Sequence, residues 1–141
     1  MIDKKIVRKL YASSFIRFGF VGGLGFFVNE AALALANGLL KTGPNLSWLL
    51  AFLPSVTFTW WGNRRLTFAD RASVGIFGIA AEWMRFVASN GIGAAANFAV
   101  YWQLTHLAPF PFNNPYFALA IGVLIGLVFN FTLSKKLVFK N

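Results

Sequence analysis

The sequence has 141 residues and a formal net charge of +9, yet only 12% of its residues are charged and 57% are hydrophobic. A soluble domain has about 25% charged residues, so these few could not cover a small globule in water. The absence of cysteine excludes disulfides and thiolate metal sites, and the single histidine, His106, leaves too few ligands for an ordinary transition metal. We therefore expect no metal and no other cofactor.

The N-terminal segment 2–11 mixes apolar residues with the basic residues Lys4, Lys5, Arg8 and Lys9. This pattern predicts a short amphipathic helix on a membrane surface. The apolar run 18–40 follows, and it is long enough to cross a hydrocarbon layer about 30 Å thick. It is too long for the core of a signal peptide and has no clear small-residue cleavage site after it, so we expect it to be retained.

The next predicted elements are three further apolar stretches. A turn at 43–45 precedes the second stretch, 46–62, which is slightly short and contains Pro54. The third stretch is 86–107, and we expect the apolar segment 74–81 before it to lie at the interface or to extend this helix. A proline-rich break leads to the fourth stretch, 116–133. The four stretches predict an all-α integral membrane protein with four transmembrane helices in a single domain, 1–141.

The basic residues are distributed unevenly between the two sides of the predicted membrane domain. All except Lys41 fall in the N-terminal segment, the middle connection or the C-terminal tail. By the positive-inside rule, both termini are predicted to be cytoplasmic. The basic residues alternate with apolar runs and do not form a face that tracks phosphates, so we expect anionic membrane lipids as partners and no nucleic acid.

The two halves of the sequence resemble each other. Arg17-Phe18 and Asn29 match Arg85-Phe86 and Asn97 at an offset of 68 residues. Near the end of each half the offset becomes 71, where 63–68 parallels 134–139. These matches predict two tandem repeats, at about 15–68 and 83–139. Each repeat has two crossings, so the repeats are parallel rather than inverted.

Small and polar residues recur every four positions along the second and fourth predicted helices. The two sets are Ala51, Ser55, Thr59 and Asn63, and Gly122, Gly126, Asn130 and Ser134. A spacing of four places each set on one helix face. Such a face either packs against another helix in the membrane or, at the asparagines, binds a polar substrate.

Glu30 is the one acidic residue that is predicted to lie deep in the membrane, since it stands 13 residues after Arg17 in the first helix. An acid at that depth is costly and marks a transport pathway, a proton relay or an ion pair. The alternative is a structural carboxyl group, bonded for example to Asn97 or Tyr101.

The ends of the predicted helices carry a cationic ring, formed by Arg17, Arg64, Arg65, Arg85, Lys135 and Lys136. This ring either sets topology through contacts with anionic lipid head groups or binds a lipid phosphate. The tryptophans are typical of an interfacial belt, and the adjacent Trp60 and Trp61 are also candidates for a sugar platform. The sequence contains no nucleophile–base pair and no carboxylate dyad, so we do not expect an enzyme.

The order of these motifs resembles the GtrA family of small bacterial membrane proteins. The resemblance rests on the Arg-Phe pair before a glycine-rich helix with asparagine, on Asn-Arg-Arg-Leu-Thr-Phe at 63–68, and on Asn-Phe-Thr-Leu-Ser-Lys-Lys-Leu-Val-Phe at 130–139. It covers about 15–139. One departure is Thr59, which stands where the family commonly has asparagine.

The resemblance implies translocation of a polyprenyl-phosphate-linked sugar, such as undecaprenyl phosphate glucose, across the bacterial cytoplasmic (inner) membrane for polysaccharide synthesis. The candidate substrate-binding residues are Arg17, Asn29, Glu30, Thr59, Asn63, Arg64, Arg85, Asn97, Tyr101, Asn130 and Lys135. Because four helices enclose little space, we expect a homodimer or a complex with a membrane glycosyltransferase. The candidate contact points are Gly19, Gly23, Gly122 and Gly126.

Two other functions fit the same sequence. The first is an accessory subunit that anchors a glycosyltransferase and transports nothing. The second is a small proton-coupled exporter in which Glu30 exchanges protons for substrate, although the strong charge bias opposes the inverted pairing that such exporters often use.

Overall fold

The computed structural model describes residues 13–140, and the regular structure within that range is helical. The predicted amphipathic helix at 2–11 lies outside the described residues. The four long helices are α1 (Ser14–Gly38), α2 (Pro44–Leu66), α3 (Ile76–Leu107) and α4 (Pro115–Leu133). A 3-10 turn, Ala69–Arg71, follows α2, and a π-helical turn, Ser134–Val138, follows α4.

The helices begin where the local chemistry favours a start. Pro44 and Pro115 open α2 and α4, where the missing proline N–H removes no helical hydrogen bond. Asn114 caps α4, and its Oδ1 accepts hydrogen bonds from the backbone N–H groups of Tyr116 at 3.0 Å and Phe117 at 3.3 Å.

Helix α3 starts ten residues before the predicted third span. Gly75 has a φ of 75°, a left-handed conformation that favours glycine, and α3 begins directly after it at Ile76. The apolar segment 74–81 therefore belongs mainly to α3. Of the two predicted positions, at the interface or as an extension of the third helix, the structure shows the extension.

The described residues form two compact units. The first ends at Ser73 and contains α1 and α2, and the second runs from Val74 to Lys140 and contains α3 and α4. Each unit is an antiparallel pair of helices joined by a short connection.

The first unit is held together along the whole length of its helix pair. At one end the rings of Phe18 and Phe68 meet edge to face, with centroids 6.2 Å apart. Near the other end, the buried Ser47 Oγ donates a hydrogen bond of 2.6 Å to Asn37 Oδ1. Between these ends, Gly62 packs so closely on Val21 that an added Cβ would lie 2.7 Å from a Val21 methyl carbon.

The second unit has a similar aromatic end and a tighter middle. The rings of Phe86 and Phe139 meet edge to face at 6.3 Å. Further along, an added Cβ on Gly122 would lie 2.9 Å from the backbone oxygen of Asn97, so only glycine fits this approach without a shift of the backbone. The two helices are therefore closest where α4 lacks side chains.

The outer surfaces of two helices are apolar. Ser14–Gly38 and Pro115–Val138 are long and apolar enough to cross a membrane, and only 17% and 22% of their most apolar windows are buried. The core helix of a soluble protein would be mostly buried, whereas Phe20, Phe26 and Phe27 on α1 are 60–70% exposed. These surfaces fit a lipid environment.

The other two long helices do not meet the same criterion of length and composition. Both helices are long enough to cross a membrane, but polar residues lower their apolar character: Ser55, Thr59 and Asn63 in α2, and Glu82, Arg85, Asn90 and Asn97 in α3. The sequence prediction of four membrane spans remains a prediction.

Candidate functional site

The polar face of α2 lies against α1, and its hydrogen bonds are made inside the first unit. Ser55 Oγ donates to the backbone oxygen of Gly25 at 2.8 Å. Thr59 Oγ1 donates to its own helix, at 3.0 Å from both the Ser55 and the Val56 oxygens, and its methyl carbon fills the space beside Gly25. This stretch of the face acts in helix packing.

The end of the same face forms a small closed network. The side chain of Asn63 is 1% exposed, and its Nδ2 donates to the Thr59 oxygen at 2.9 Å. Its Oδ1 accepts a hydrogen bond of 2.8 Å from Thr67 Oγ1. Both ends of this buried amide are therefore satisfied by α2 and its C-cap residue, Thr67.

The polar face of α4 lies against α3, but its side chains are not satisfied. Asn130 packs over Gly93, which has no side chain to obstruct it. The buried Asn130 Oδ1 has no hydrogen-bond partner within residues 13–140. One turn later, Ser134 is fully buried, and its Oγ likewise lacks a partner in that range.

Asn97 also lies at this contact between α3 and α4. An added Cβ on Gly122 would lie 2.6 Å from Asn97 Oδ1, and one on Gly126 would lie 3.1 Å from Asn97 Cβ. Gly122 and Gly126 are thus buried against α3 of their own unit. The expectation that they contact another chain is wrong, whereas Gly23 is exposed, with open space beside it.

Arg85 closes the α3–α4 contact at the aromatic end. One of its terminal nitrogens, Nη2, lies 3.5 Å from the backbone oxygen of Val138 and donates a long hydrogen bond to it. Its Nε is buried and has no hydrogen-bond partner in the part of the chain that the structure describes. The guanidinium therefore retains an N–H group that is shielded from solvent and is not satisfied within this helix pair.

Arg17 occupies the equivalent position in the first unit, where it lines an apolar cleft of about 410 Å³. The cleft is also lined by Ile16, Phe20 and Leu66. A guanidinium beside an apolar cleft is suited to a lipid that has an anionic head group.

Three of the other cations of the predicted ring lie beside an aromatic ring four residues earlier in the chain. Arg64 and Arg65 lie over the Trp60 and Trp61 rings, at 5.8 and 5.5 Å from the ring centroids, and Arg64 Nη2 also donates to the Ser73 oxygen. Lys135 lies 5.8 Å from the centroid of the Phe131 ring. Trp60 and Trp61 thus each have one ring face occupied by an arginine.

The remaining predicted residues do not lie on these polar faces. Glu30 is exposed on α1, so the structure does not place it in a buried helix contact within the first unit. Asn29 and Tyr101 are half-buried, and the Tyr101 backbone oxygen accepts from Thr105 Oγ1 at 2.8 Å.

One buried charged residue was not predicted from the sequence. Glu82 is 0% exposed near the start of α3, where a carboxylate requires compensation by polar or cationic groups. The available signal was an acid three residues before Arg85 inside an otherwise apolar segment.

The apolar outer surface and the buried polar faces define a helical membrane protein. The family model for the GtrA/DPMS transmembrane domain matches residues 17–140. The chain therefore belongs to the GtrA/DPMS transmembrane domain family, as the sequence motifs indicate. No match is found among curated proteins.

Proposed function

We propose that this protein translocates a polyprenyl-phosphate-linked sugar across the bacterial cytoplasmic membrane, for synthesis of cell-surface polysaccharide or for glycosylation. The observation that carries the proposal is the match of the GtrA/DPMS transmembrane domain over residues 17–140. This family relationship supports a role in membrane processes that use polyprenyl-phosphate sugars.

The physical character of the helices is compatible with such a substrate. The polyprenyl chain remains in lipid, which the exposed apolar side chains of α1 and α4 tolerate. The sugar phosphate needs hydrogen-bond partners that are shielded from hydrocarbon, because an unsatisfied polar group there costs several kcal/mol. Arg85, Asn97 and Asn130 supply polar groups along one helix pair.

The proposed topology has four transmembrane helices, two tandem repeats and cytoplasmic termini. The charge distribution supports the orientation, since Lys41 alone falls on the opposite side. The repeat is supported by the matching aromatic pairs, Phe18–Phe68 and Phe86–Phe139, at equivalent sequence positions. In this topology the two arginines of the Arg-Phe pairs lie at the cytoplasmic side, where the substrate is made.

A protein partner is part of the proposal. Glu30 is exposed on α1 one turn after the exposed rings of Phe26 and Phe27, and a carboxyl group on such a surface is costly in lipid. A second copy of this chain or a membrane glycosyltransferase would cover it.

The test is transfer of a labelled polyprenyl-phosphate hexose between leaflets of liposomes that contain the purified full-length protein. Wild type is expected to exceed protein-free liposomes, and Arg85→Ala to lose most of this transfer. Arg71→Ala is the matched control, because Arg71 is 42% exposed and pairs only loosely with Asp70, at 3.9 Å.

Absence of transfer by folded wild type, with each of several hexoses and with the cognate glycosyltransferase present, would contradict translocation. If the protein nevertheless co-purified with that glycosyltransferase and raised its activity, the accessory-subunit function would replace the proposed one.

A further inference from the structure

The start of α3 exposes three apolar side chains on the side of the membrane that is proposed to be cytoplasmic. Val74, Ile76 and Phe77 are 87%, 78% and 88% exposed, and we call residues 74–77 the α3 tip. The tip precedes Arg85, which the proposed topology places at the cytoplasmic side of the span. It therefore differs from the exposed apolar residues of α1 and α4, which lie along the spans and are covered by lipid.

Helix α3 is longer than the hydrocarbon core of a membrane is thick. Its 32 residues extend about 48 Å at the rise of an α-helix. The core is about 30 Å thick, and the bilayer with its head-group layers is about 40–45 Å thick. The stretch 86–107 is by itself long enough to cross the core, so an upright α3 would raise Ile76 about 15 Å above it. An upright helix would thus leave the α3 tip beyond the head groups, in water.

Two features of the α3 tip limit its depth from opposite sides. In water, three exposed apolar side chains would form a patch of the kind that marks an interaction surface. In hydrocarbon, the backbone N–H groups of the first helical turn would lack acceptors, because the N-cap residue is Gly75 and no side chain caps the helix. The head-group layer meets both requirements, since acyl chains contact the apolar side chains there and water or phosphate oxygens accept from the N–H groups.

The chain directly before the α3 tip is basic. Arg71 stands three residues before Val74, is 42% exposed and pairs only loosely with Asp70, at 3.9 Å. Arg64 Nη2 donates to the backbone oxygen of Ser73, so a second guanidinium lies beside the residue that leads into the tip. Anionic lipids of the cytoplasmic leaflet attract arginines near the membrane surface. Apolar side chains next to basic residues are the combination that binds such an interface.

We propose that the α3 tip is a membrane anchor that inserts its apolar side chains into the cytoplasmic leaflet, among anionic head groups, and that α3 tilts to bring it there. A tilt of roughly 20–35° shortens the helix to about 40–45 Å along the membrane normal, the thickness of the bilayer with its head groups. Transmembrane helices commonly have tilts in this range. The anchor thereby fixes the tilt of the helix that carries Asn97. This inference uses the proposed topology, and it does not depend on which lipid the protein carries.

The experiment measures the depth of single positions in the full-length protein. Because the chain contains no cysteine, one introduced cysteine carries one fluorescent label. The protein is reconstituted in vesicles of phosphatidylcholine and phosphatidylglycerol, and the quenchers are water-soluble acrylamide and a phosphatidylcholine with a nitroxide on its acyl chain. The control is Asp70→Cys, whose side chain is 80% exposed. Relative to this control, the label in Phe77→Cys should be quenched several-fold less by acrylamide and several-fold more by the nitroxide lipid.

A label on α4 separates failure of the anchor from failure of the topology. Val123 is 49% exposed in the middle of α4, and the label in Val123→Cys should be reached by the nitroxide lipid and not by acrylamide. If this holds but acrylamide quenches Phe77→Cys as strongly as Asp70→Cys, the anchor is overturned and the α3 tip is instead a surface for a soluble protein. Quenching of Val123→Cys by acrylamide would overturn the proposed topology itself.

A cysteine at position 77 removes one of the anchoring side chains, so a second arm places the label in Val74→Cys and varies residue 77. Adding Phe77→Ser should raise acrylamide quenching of this label several-fold, because the α3 tip loses its largest apolar side chain. Tyr116→Ser is the matched control and should change nothing, because Tyr116 is 84% exposed at the opposite end of the second unit. Equal quenching with and without Phe77→Ser would overturn the anchor.

The contribution of the anionic head groups is tested by removing them. In vesicles of phosphatidylcholine alone, the nitroxide lipid should quench the label in Phe77→Cys less, because the arginines before the α3 tip lose their counter-charges. Unchanged quenching would overturn the part of the proposal that concerns anionic lipid.

Discussion

The two helix pairs are alike at their aromatic ends and differ along their polar faces. Phe18–Phe68 and Phe86–Phe139 have centroid distances of 6.2 and 6.3 Å and interplanar angles of 63° and 64°. The backbone hydrogen bond at this end is also the same in both units. The N–H of the second phenylalanine donates to the carbonyl oxygen of the fifth residue before it, at 2.9 Å in the first unit and 2.8 Å in the second. This end of each unit is a common structural frame.

In the middle of the helix pairs, the two units differ in how their helices contact each other. Ser55 donates across the first pair to the Gly25 oxygen, whereas its equivalent, Gly126, has no side chain and would bring an added Cβ to 3.0 Å from the Gly93 oxygen. The first unit therefore stabilises its contact with hydrogen bonds, and the second with close approach of its backbones. The comparison teaches that the same frame tolerates different chemistry on the face where a polar substrate would bind.

The largest effects are expected from truncating the common frame. Phe18→Ala and Phe86→Ala each leave a cavity at a buried edge-to-face contact and should cost about 3 kcal/mol, the lower end of the range for buried phenylalanine. Unfolding by denaturing detergent in mixed micelles measures both. The two losses should agree within about 1 kcal/mol, given the context dependence of such truncations. A larger disagreement would show that the frames are not equivalent.

The next largest effect concerns the close approach in the second unit. Gly93→Ala places a methyl group against the Asn130 amide and should cost about 1–3 kcal/mol through overpacking. Gly91→Ala is the matched control on the same helix, because its added Cβ meets nothing within 4 Å. Equal stability of the two variants in the same unfolding assay would contradict the tight contact between α3 and α4.

A smaller effect should follow from exchanging Thr67 and Val138 between the units. Thr67→Val leaves the buried Asn63 Oδ1 without its 2.8 Å hydrogen bond and should cost about 1–2 kcal/mol. Val138→Thr offers a hydroxyl group to Ser134 Oγ and should stabilise the second unit by up to about 1 kcal/mol. The detergent-unfolding midpoints check both signs. Destabilisation by Val138→Thr would show that the residue at 138 does not explain why the Ser134 hydroxyl group lacks a hydrogen-bond partner.

The smallest effect is expected for Ser55→Ala. Hydrogen bonds between membrane helices contribute about 0.6 kcal/mol on average, and the bond from Ser55 Oγ to the Gly25 oxygen is of this kind. The same unfolding assay should resolve a change of this size relative to wild type. A loss above about 2 kcal/mol would exceed the range known for such bonds and would indicate a further role for Ser55.

The sequence predicts the helices well, because long apolar runs between prolines and basic residues leave few other structures. The four-residue spacing also predicts which faces of α2 and α4 pack, since side chains four apart share one side of a helix. The start of α3 was left open because an eight-residue apolar segment fits either an interfacial position or a helix, and only the backbone at Gly75 decides between them.

The site is less predictable for physical reasons. The first helix is apolar on all sides, so depth can be estimated for Glu30 but the direction of its side chain cannot. From the sequence alone, Asn63 and Asn130 are equally good candidates for binding a polar substrate. They differ because hydrogen-bond satisfaction depends on neighbours such as Thr67, and because the Asn130 amide extends to the opposite helix at Gly93.

The placement of the two most apolar helices has a consequence for biosynthesis. In the first unit the apolar helix, α1, emerges from the ribosome before α2, but in the second unit α4 emerges after α3. Ribosomes add about 5–20 residues per second, so in the proposed topology α3 precedes the end of α4 by roughly one to five seconds. During this interval the less apolar α3 has no hairpin partner to favour its insertion. In the proposed topology, insertion of the second hairpin is therefore the step of membrane integration that depends most on the protein-insertion machinery of the membrane.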